Sequence, residues 1–494
     1  MSSRLSESRA VGPSASAAER ARLRRLSARE MGVMMGLAAL VGLASAVAAV
    51  VLYRGIHFAI QRMEPLHGSA WMVVMPGAGA ALAAFFLNTW LKDEAGHGVP
   101  ELIHSATVGG GRLRLDLTYS RLVSSLLTVG SGGSAGLEGP AATSGGAIGS
   151  AIAHLFRFNE RRRTLLLGCG VAGAVAAIFN APLTGTVFAL EVILGEWSAL
   201  AILPTIVSAV AATQFSRLIL GNQIAFPHTL QAFTTLDLTA CLVLGVFTGL
   251  LSVAFQRGLR LTEHHSGRWI PTHWLRAGLG GLLVGGIGFF NPSVLHDGYL
   301  SVQDFLNGVT AFSIVGLAAF LALKLIACCL TLGSGGSGGV FAPSLVLGSA
   351  AGFMFGKVLQ QLFPGWNTAS PSAFALVGMS GMVAGLMHAP LTGMFLVLEV
   401  TSGYGLILPL MIVSVLAMIT GFFFEKGSVY TRELIGRGLL ARRGSDVHLL
   451  QTMEPRELID PEDLVLHEGM LLGEFVEIFK RAKRNVFPVI ERGS

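Results

Sequence analysis

The sequence contains long stretches in which Asp, Glu, Lys and Arg are all missing. These stretches are residues 31–53, 66–91, 164–190, 238–256, 277–296, 325–356, 358–398 and 400–424. Because a helix needs about 20 apolar residues to cross about 30 Å of hydrocarbon, the pattern predicts an all-α polytopic membrane protein. Charged residues form only 13% of the 494 residues, which excludes a chain of ordinary soluble domains.

Two of the stretches, 325–356 and 358–398, are too long for one crossing and contain Gly and Pro. They predict shorter helices that are broken inside the membrane, a feature of transporters and channels. Basic residues flank the membrane region, in the N-terminal segment 1–30 and after residue 424. Since positive flanks stay in the cytoplasm, both termini are expected there.

An internal repeat divides the membrane region into two halves. Residues 130–140 read GSGGSAGLEGP and residues 333–343 read GSGGSGGVFAP. Further along, the segment Asn-Ala-Pro-Leu-Thr-Gly at 180–185 returns as His-Ala-Pro-Leu-Thr-Gly at 388–393. We therefore expect homologous repeats at about 31–225 and 235–440, whose relative orientation these matches leave open.

The repeated glycine-rich blocks each lead into a predicted helix. Such a helix start offers unpaired backbone N–H groups and the positive end of the helix dipole, which together favour an anion. Glycine also lets an ion approach the backbone closely. We expect a small-anion site where the two blocks meet, the alternative being that the glycines only allow tight helix packing. A distant alternative is an intramembrane hydrolase that uses Ser134 or Ser337.

Glu138 lies inside the first glycine-rich block, where the second block has Phe341. An ionisable residue at membrane depth is a candidate functional group. Its carboxylate could compete with an anion, and protonation would release it, so we expect a gate or proton carrier. The alternative is a simple helix cap. Glu191 and Glu399 form a symmetric pair, for which we expect a structural role at helix ends.

Four ordered motifs resemble those of the CLC family of chloride channels and chloride/proton antiporters. They are Gly96-His97-Gly98-Val99-Pro100, Gly136-Leu137-Glu138-Gly139-Pro140, Gly339-Val340-Phe341-Ala342-Pro343 and Ser428-Val429-Tyr430-Thr431. The resemblance covers about residues 31–440. It implies two inverted-topology repeats of broken and tilted helices, and a homodimer with one pore per subunit. Its bacterial type implies the cell inner membrane.

The resemblance also assigns roles to residues. It implies that Glu138 is the gate and that the anion lies among a set of residues around the two blocks. The implied anion contacts are His97, Gly136, Leu137, Gly139, Gly339, Val340, Phe341, Ala342 and Tyr430.

Three positions depart from the family pattern. His97 replaces a serine that normally contacts the ion, which leaves anion preference open, and Leu137 replaces a basic residue beside the gate. Val192 stands where well-known exchangers carry an inner proton-transfer glutamate, and valine cannot carry a proton. We therefore expect a passive, glutamate-gated chloride channel, with an electrogenic chloride/proton antiporter as the alternative.

The C-terminal segment 443–494 is charged and has strand-like runs around an amphipathic stretch, so it resembles the start of a CBS domain, the alternative being a plain cytoplasmic cap. No residue pattern predicts a metal site, a cofactor or nucleic-acid binding. The expected partners are chloride or another small anion, the lipid bilayer and a second copy of the chain.

Overall fold

The structure of the protein is a computed structural model. This structure describes residues 17–66, 68–91, 98–222, 233–308, 313–364, 368–401, 403–436, 438–439, 466–467, 469–481 and 489–490. Within these residues, eight helices are long and apolar enough to cross a membrane, which confirms the predicted polytopic architecture. The first crossing, Glu30–Met63, belongs to a helix that already begins at Ala17, inside the basic N-terminal segment.

The described part of the first repeat contains helices α1 to α8. Their bounds are α1 Ala17–Met63, α2 Trp71–Phe85, α3 Val99–Thr107, α4 Leu117–Gly130, α5 Glu138–Leu155, α6 Glu160–Phe179, α7 Pro182–Phe188 and α8 Ala199–Leu220. Two helices are prolonged by wider π-helical turns. These turns are Phe86–Trp90 after α2 and Ala189–Leu194 after α7.

The second repeat contains helices α9 to α16. Their bounds are α9 Thr235–Trp269, α10 His273–Phe290, α11 Tyr299–Leu306, α12 Ile314–Gly333, α13 Phe341–Leu362, α14 Pro371–Met387, α15 Pro390–Thr401 and α16 Ile407–Phe424. A short helix α17, Arg432–Gly436, follows. Single 3₁₀ turns occupy Glu64–Leu66, Pro292–Val294 and Tyr404–Leu406.

Helix packing repeats between the two halves. Helix α1 packs on α6 and α8 as α9 packs on α14 and α16, and α5 packs on α6 as α13 packs on α14. The backbone repeats as well: Asn180 and His388 both end a helix in the left-handed conformation, at φ 56° and 54°. The two halves therefore share one fold, as the sequence matches predicted.

The long uncharged stretches are broken as expected. Helix α12 ends at Gly333 and α13 begins at Phe341, so residues 334–340 interrupt the first stretch. In the second stretch α14 ends at Met387 and α15 begins at Pro390. The proline ring fixes φ and lacks an N–H, which suits the first turn of a new helix.

Glycine allows the closest helix contacts. A Cβ atom on Gly145 of α5 would lie 2.3 Å from the carbonyl oxygen of Gly170 on α6. At the equivalent crossing of α13 and α14, a Cβ atom on Gly348 would lie 2.5 Å from the carbonyl oxygen of Gly378. Much of the glycine thus serves tight packing between membrane helices.

Residues 441–494 form a second compact unit. Strand β1 (Leu466–His467) pairs in parallel with β2 (Val489–Ile490), and helix α18 (Leu472–Arg481) connects them. This arrangement is close to the predicted strand–helix–strand order. Its assignment as a CBS-like segment remains a prediction.

Candidate anion site

The two glycine-rich blocks meet through a backbone bridge. The amide of Gly136 donates to the carbonyl of Gly339, and the amide of Gly339 donates to the carbonyl of Gly136, each at 2.7 Å. These two N–H groups are therefore used inside the protein. The two amides join the repeats, and a contact of Gly136 and Gly339 with an anion stays a prediction.

Both glycines are required by the space around them. A Cβ atom on Gly339 would lie 2.9 Å from the backbone nitrogen of Gly139 in the other repeat. A Cβ atom on Gly136 would lie 2.3 Å from Oε2 of Glu138 and 3.0 Å from the backbone nitrogen of Ala342. Any larger residue would push the two blocks apart.

The bridge brings the starts of α5 and α13 together. Helix α5 begins at Glu138 and α13 at Phe341, and the residues before them, Leu137 and Val340, provide no side-chain cap. The first N–H groups of a helix have no partner within that helix, and the dipole makes this end favourable for negative charge. The arrangement is suited to hold an anion without a full positive charge.

The carboxylate of Glu138 reaches from α5 to the other repeat. Its Oε2 accepts a hydrogen bond from the Ala342 amide in the first turn of α13, at 3.3 Å. Its Oε1 accepts a hydrogen bond from the Tyr299 hydroxyl at 2.6 Å, and the residue is 2% exposed. The carboxyl group therefore lies at the start of α13, where the helix dipole favours negative charge.

Other predicted site residues line the same region. Leu137, Val340, Phe341 and Ala342 are buried, and the Phe341 ring packs against two phenylalanine rings at centroid distances of 5.2 Å and 5.8 Å. Tyr430 is 1% exposed and interacts electrostatically with Glu138. The neighbouring amide of Val429 donates to the Leu386 carbonyl at 3.1 Å, which fixes this segment to the end of α14.

Two predicted positions lie apart from this geometry. His97 lies outside the described residues, whose range resumes at Gly98. Val192 lies in the π-helical turn after α7 and packs partly buried against the apolar core. Its apolar side chain has no group that exchanges a proton.

Glu191 and Glu399 cap each other's repeat. The Glu191 carboxylate accepts hydrogen bonds from the amides of Leu391 and Thr392 and from the Thr392 hydroxyl, at 2.7–3.1 Å. The Glu399 carboxylate accepts the equivalent bonds from Leu183 and Thr184, at 2.6–2.8 Å. The predicted structural role at helix ends is confirmed.

The serine residues of the hydrolase alternative have other partners. The Ser134 hydroxyl donates to the Val294 carbonyl at 2.8 Å and lies 3.2 Å from the Cys328 sulfur. The Ser337 hydroxyl is 2.8 Å from the Ser124 hydroxyl. These partners give neither hydroxyl the general base that a serine nucleophile needs.

A cavity of about 880 Å³ lies beside two neighbours of Glu138, since Leu137 and Tyr299 both line it. Its lining includes the C-terminal end of α1, Leu137, and residues on both sides of Val294, namely Pro292, Ser293 and the run from Leu295 to Tyr299. Two lining residues, Asp297 and Tyr299, did not figure in the sequence prediction, and neither did Lys324, which donates to the carbonyls of Val294 and His296. The sequence did contain a signal for Lys324, because it is the only charged residue between residues 305 and 356.

The family model for voltage gated chloride channels matches residues 79–421, which is more than half of the chain. The chain belongs to this family. The resemblance to the CLC family is thereby confirmed, and with it the function in membrane anion transport.

Curated relatives from this CLC family carry two kinds of name. A putative chloride channel protein ClcB-like from Ralstonia nicotianae is 33% identical over 73% of this chain and 85% of its own length. The H(+)/Cl(-) exchange transporter ClcA from Vibrio vulnificus is 32% identical over 81% of this chain and 88% of its own. The H(+)/Cl(-) exchange transporter ClcA from Vibrio cholerae is 33% identical over 72% of this chain and 77% of its own length.

Solved CLC structures share the fold. A slow cyanobacterial Cl-/H+ antiporter superposes with a TM-score of 0.75 at 24% identity, over 83% of this chain and 99% of the other. A eukaryotic CLC transporter superposes with a TM-score of 0.72 at 22% identity, over 93% and 84%. The fold is therefore the CLC type, with two inverted-topology repeats.

Proposed function

We propose that this protein exchanges chloride for protons across the membrane. The observation that carries the proposal is the carboxylate of Glu138, which takes the anion position at the start of α13. A chloride ion at that position has to displace it, and protonation removes the charge that holds it there. One residue then links anion occupancy to proton binding, as a coupled exchanger requires.

The relatives support exchange over the passive channel that the sequence favoured. Several relatives at 32–33% identity are named H(+)/Cl(-) exchange transporters. The channel interpretation rested on Val192, which cannot transfer a proton. In the exchange mechanism, protons therefore reach the inner side of Glu138 by a route that does not include the Val192 side chain.

The passive channel is the second candidate. It is supported by Val192 and by the relative named as a putative chloride channel. In that mechanism Glu138 still gates the pore, and its protonation changes the rate of chloride flow without proton transport.

The proposed anion path lies between the buried residues at the two helix starts. Its contacts are the backbone of Leu137, Gly139, Val340, Phe341 and Ala342, the hydroxyl of Tyr430, and His97. Amides at a helix start bind an anion weakly enough to let it pass, whereas a buried cation would hold it. Chloride fits this chemistry.

The proposed placement is the cell inner membrane, with both termini in the cytoplasm and two copies forming a dimer with one pore each. Helix α1 starts on the cytoplasmic side in this arrangement, so its C-terminal end faces outward. The cavity lined by Tyr53, His57 and Glu64 at that end is then the external entrance to Glu138.

Proton movement driven by chloride tests the proposal. Purified protein in liposomes receives an outward chloride gradient with the membrane potential held by valinomycin and potassium, and external pH is recorded. We expect chloride efflux to drive protons inward, and the Glu138→Gln variant to move chloride without protons. The exposed Glu160→Gln variant on α6 is the matched control. Chloride efflux without proton movement in the wild-type protein would establish the passive channel instead.

A further inference from the structure

We propose that Tyr299 is a positioning residue for the gate, and that its hydroxyl retains the Glu138 carboxylate in the anion position. The inference rests on the proposed role of Glu138 as the gate. The hydrogen bond between the two side chains is 2.6 Å long and joins residues 161 positions apart. Tyr299 also lines the cavity of about 880 Å³, together with Leu137, the residue next to Glu138.

The loop before Tyr299 is fixed to both repeats. The Lys324 ammonium group on α12 is fully buried and donates to the carbonyls of Val294 and His296, at 3.0 Å and 3.1 Å. From the first repeat, the Ser134 hydroxyl donates to the same Val294 carbonyl at 2.8 Å. These bonds hold the backbone that leads to Tyr299.

The start of α11 adds a second constraint. Oδ1 of Asp297 accepts a hydrogen bond from the Tyr299 amide at 3.2 Å. Gly298 adopts φ 83°, and a Cβ atom there would lie 3.0 Å from the Lys324 Nζ. The phenol is thus presented to Glu138 by a packed, preorganised turn.

The internal repeat shows that this pair is a departure from symmetry. Gly98 and Gly298 are equivalent, since both precede a short helix in the left-handed conformation, at φ 71° and 83°. The partner of Tyr299 is therefore Val99, and the partner of Glu138 is Phe341. The contact of Glu138 with Tyr299 thus has the apolar pair Phe341 and Val99 at the symmetry-equivalent positions. Packing alone would not require hydrogen-bonding residues at both positions of one such pair.

Several other titratable groups surround the pair. Asp297 interacts electrostatically with Glu138, and Tyr53 of α1 with Tyr299. Lys324 donates to two carbonyls of the loop, Tyr430 interacts electrostatically with Glu138, and His57, His296, Glu64 and Asp304 line the cavity. A Tyr299→Phe substitution leaves all of these groups in place, so the change in pH response reports the lost hydroxyl.

Loss of the hydroxyl weakens retention of the charged carboxylate. A hydrogen bond to a charged group favours that charged form. Without it, protonation and release of Glu138 occur at a lower proton concentration. We expect the pH of half-maximal chloride flux to rise by about one unit in Tyr299→Phe, which is a tenfold change in proton concentration.

The test is the pH profile of chloride flux in liposomes for Tyr299→Phe, with Tyr119→Phe, an exposed tyrosine on α4, as control. The same substitution in the Glu138→Gln background should produce no further pH effect, because the carboxylate is already missing. A wild-type profile in Tyr299→Phe, or an equal shift in both backgrounds, would overturn the proposal. Chloride flux responds to the gate in a channel and in an exchanger alike, so failure of proton coupling would leave this test intact.

Discussion

The Glu138 carboxylate combines two contacts that no other charged side chain in the described residues makes. One oxygen accepts from the start of α13 and the other from the Tyr299 hydroxyl. The two hydrogen bonds therefore hold the carboxyl group at the start of α13. In the proposed mechanism the charge of this carboxyl group decides whether it stays, so pH and anion occupancy act on the same atoms.

Replacing the gating carboxylate by an amide should remove its response to pH. Glu138→Gln has nearly the same shape but no proton to lose, so we expect its chloride flux to be nearly constant from pH 4 to pH 8. Wild-type flux should rise as pH falls, because protonation removes the competing charge. Stopped-flow or electrode measurements of chloride efflux at fixed potential give both profiles.

Glu160→Gln is the control for this profile, since Glu160 is exposed at the start of α6. It should reproduce the wild-type pH dependence. A Glu138→Gln variant that keeps the wild-type profile would show that another residue is the gate.

Residue-level prediction from sequence reached Glu138 and missed Tyr299. Glu138 was singled out because it is an ionisable residue at membrane depth, at a place where the repeated block has Phe341. The Tyr299 contact depends on a turn in another helix of the other repeat. The one sequence signal for Tyr299 is that Asp297-Gly298 precedes it as His97-Gly98 precedes Val99 in the first repeat. Such a weak match between two segments does not reveal a contact with Glu138.

At the scale of elements, the reciprocal capping by Glu191 and Glu399 stabilises the short helices α7 and α15. Each carboxylate accepts three hydrogen bonds from the start of the partner helix. The two helices also pack against each other. The two repeats are thereby joined at these helix starts as well as at the bridge between Gly136 and Gly339.

Removing one cap should destabilise the protein. In Glu191→Ala, two amides and one hydroxyl lose their acceptor, and we expect the free energy of unfolding to fall by about 1–3 kcal/mol. Thermal unfolding in detergent should show a lower melting temperature. Glu160→Ala, at the exposed start of α6, should change it much less. Equal effects of the two substitutions would argue against the capping role.

The bridge between the repeats gives a prediction about glycine. Gly339→Ala places a methyl group 2.9 Å from the Gly139 nitrogen, so we expect a loss of stability of about 1–3 kcal/mol and reduced chloride flux. Gly286→Ala on α10 is the matched control, because no atom lies within 4 Å of its Cβ position. Thermal unfolding and flux assays would contradict the close approach if both variants behaved as wild type.

The helix breaks were predictable where the length of a stretch and its Gly and Pro residues limit the possible helix bounds. Uncharged stretches too long for one crossing had to be interrupted, and the glycine-rich block at 333–340 and Pro390 mark two of the breaks. The use of the Gly136 and Gly339 amides was not predictable. A glycine-rich sequence is compatible with amides that are available to an anion and with amides that bond to the other block. Only the way in which the two blocks meet in the fold decides between these possibilities.

At the scale of the whole molecule, the two inverted repeats build a nearly symmetric frame around an asymmetric centre. Equivalent helices pack alike in both halves, whereas the centre has Glu138 and Tyr299 on one side and Phe341 and Val99 on the other. The frame was predictable because repeated motifs report homology. In the proposed mechanism this asymmetric centre provides one side on which protonation controls the anion site.

The reversal potential of the purified protein in liposomes tests the central claim most directly. It is measured under a fixed chloride gradient, first at equal pH on both sides and then with a pH gradient. Chloride/proton exchange predicts that the potential shifts away from the chloride equilibrium value when the pH gradient is imposed. A potential that stays at the chloride value under both conditions would contradict exchange and establish a passive channel.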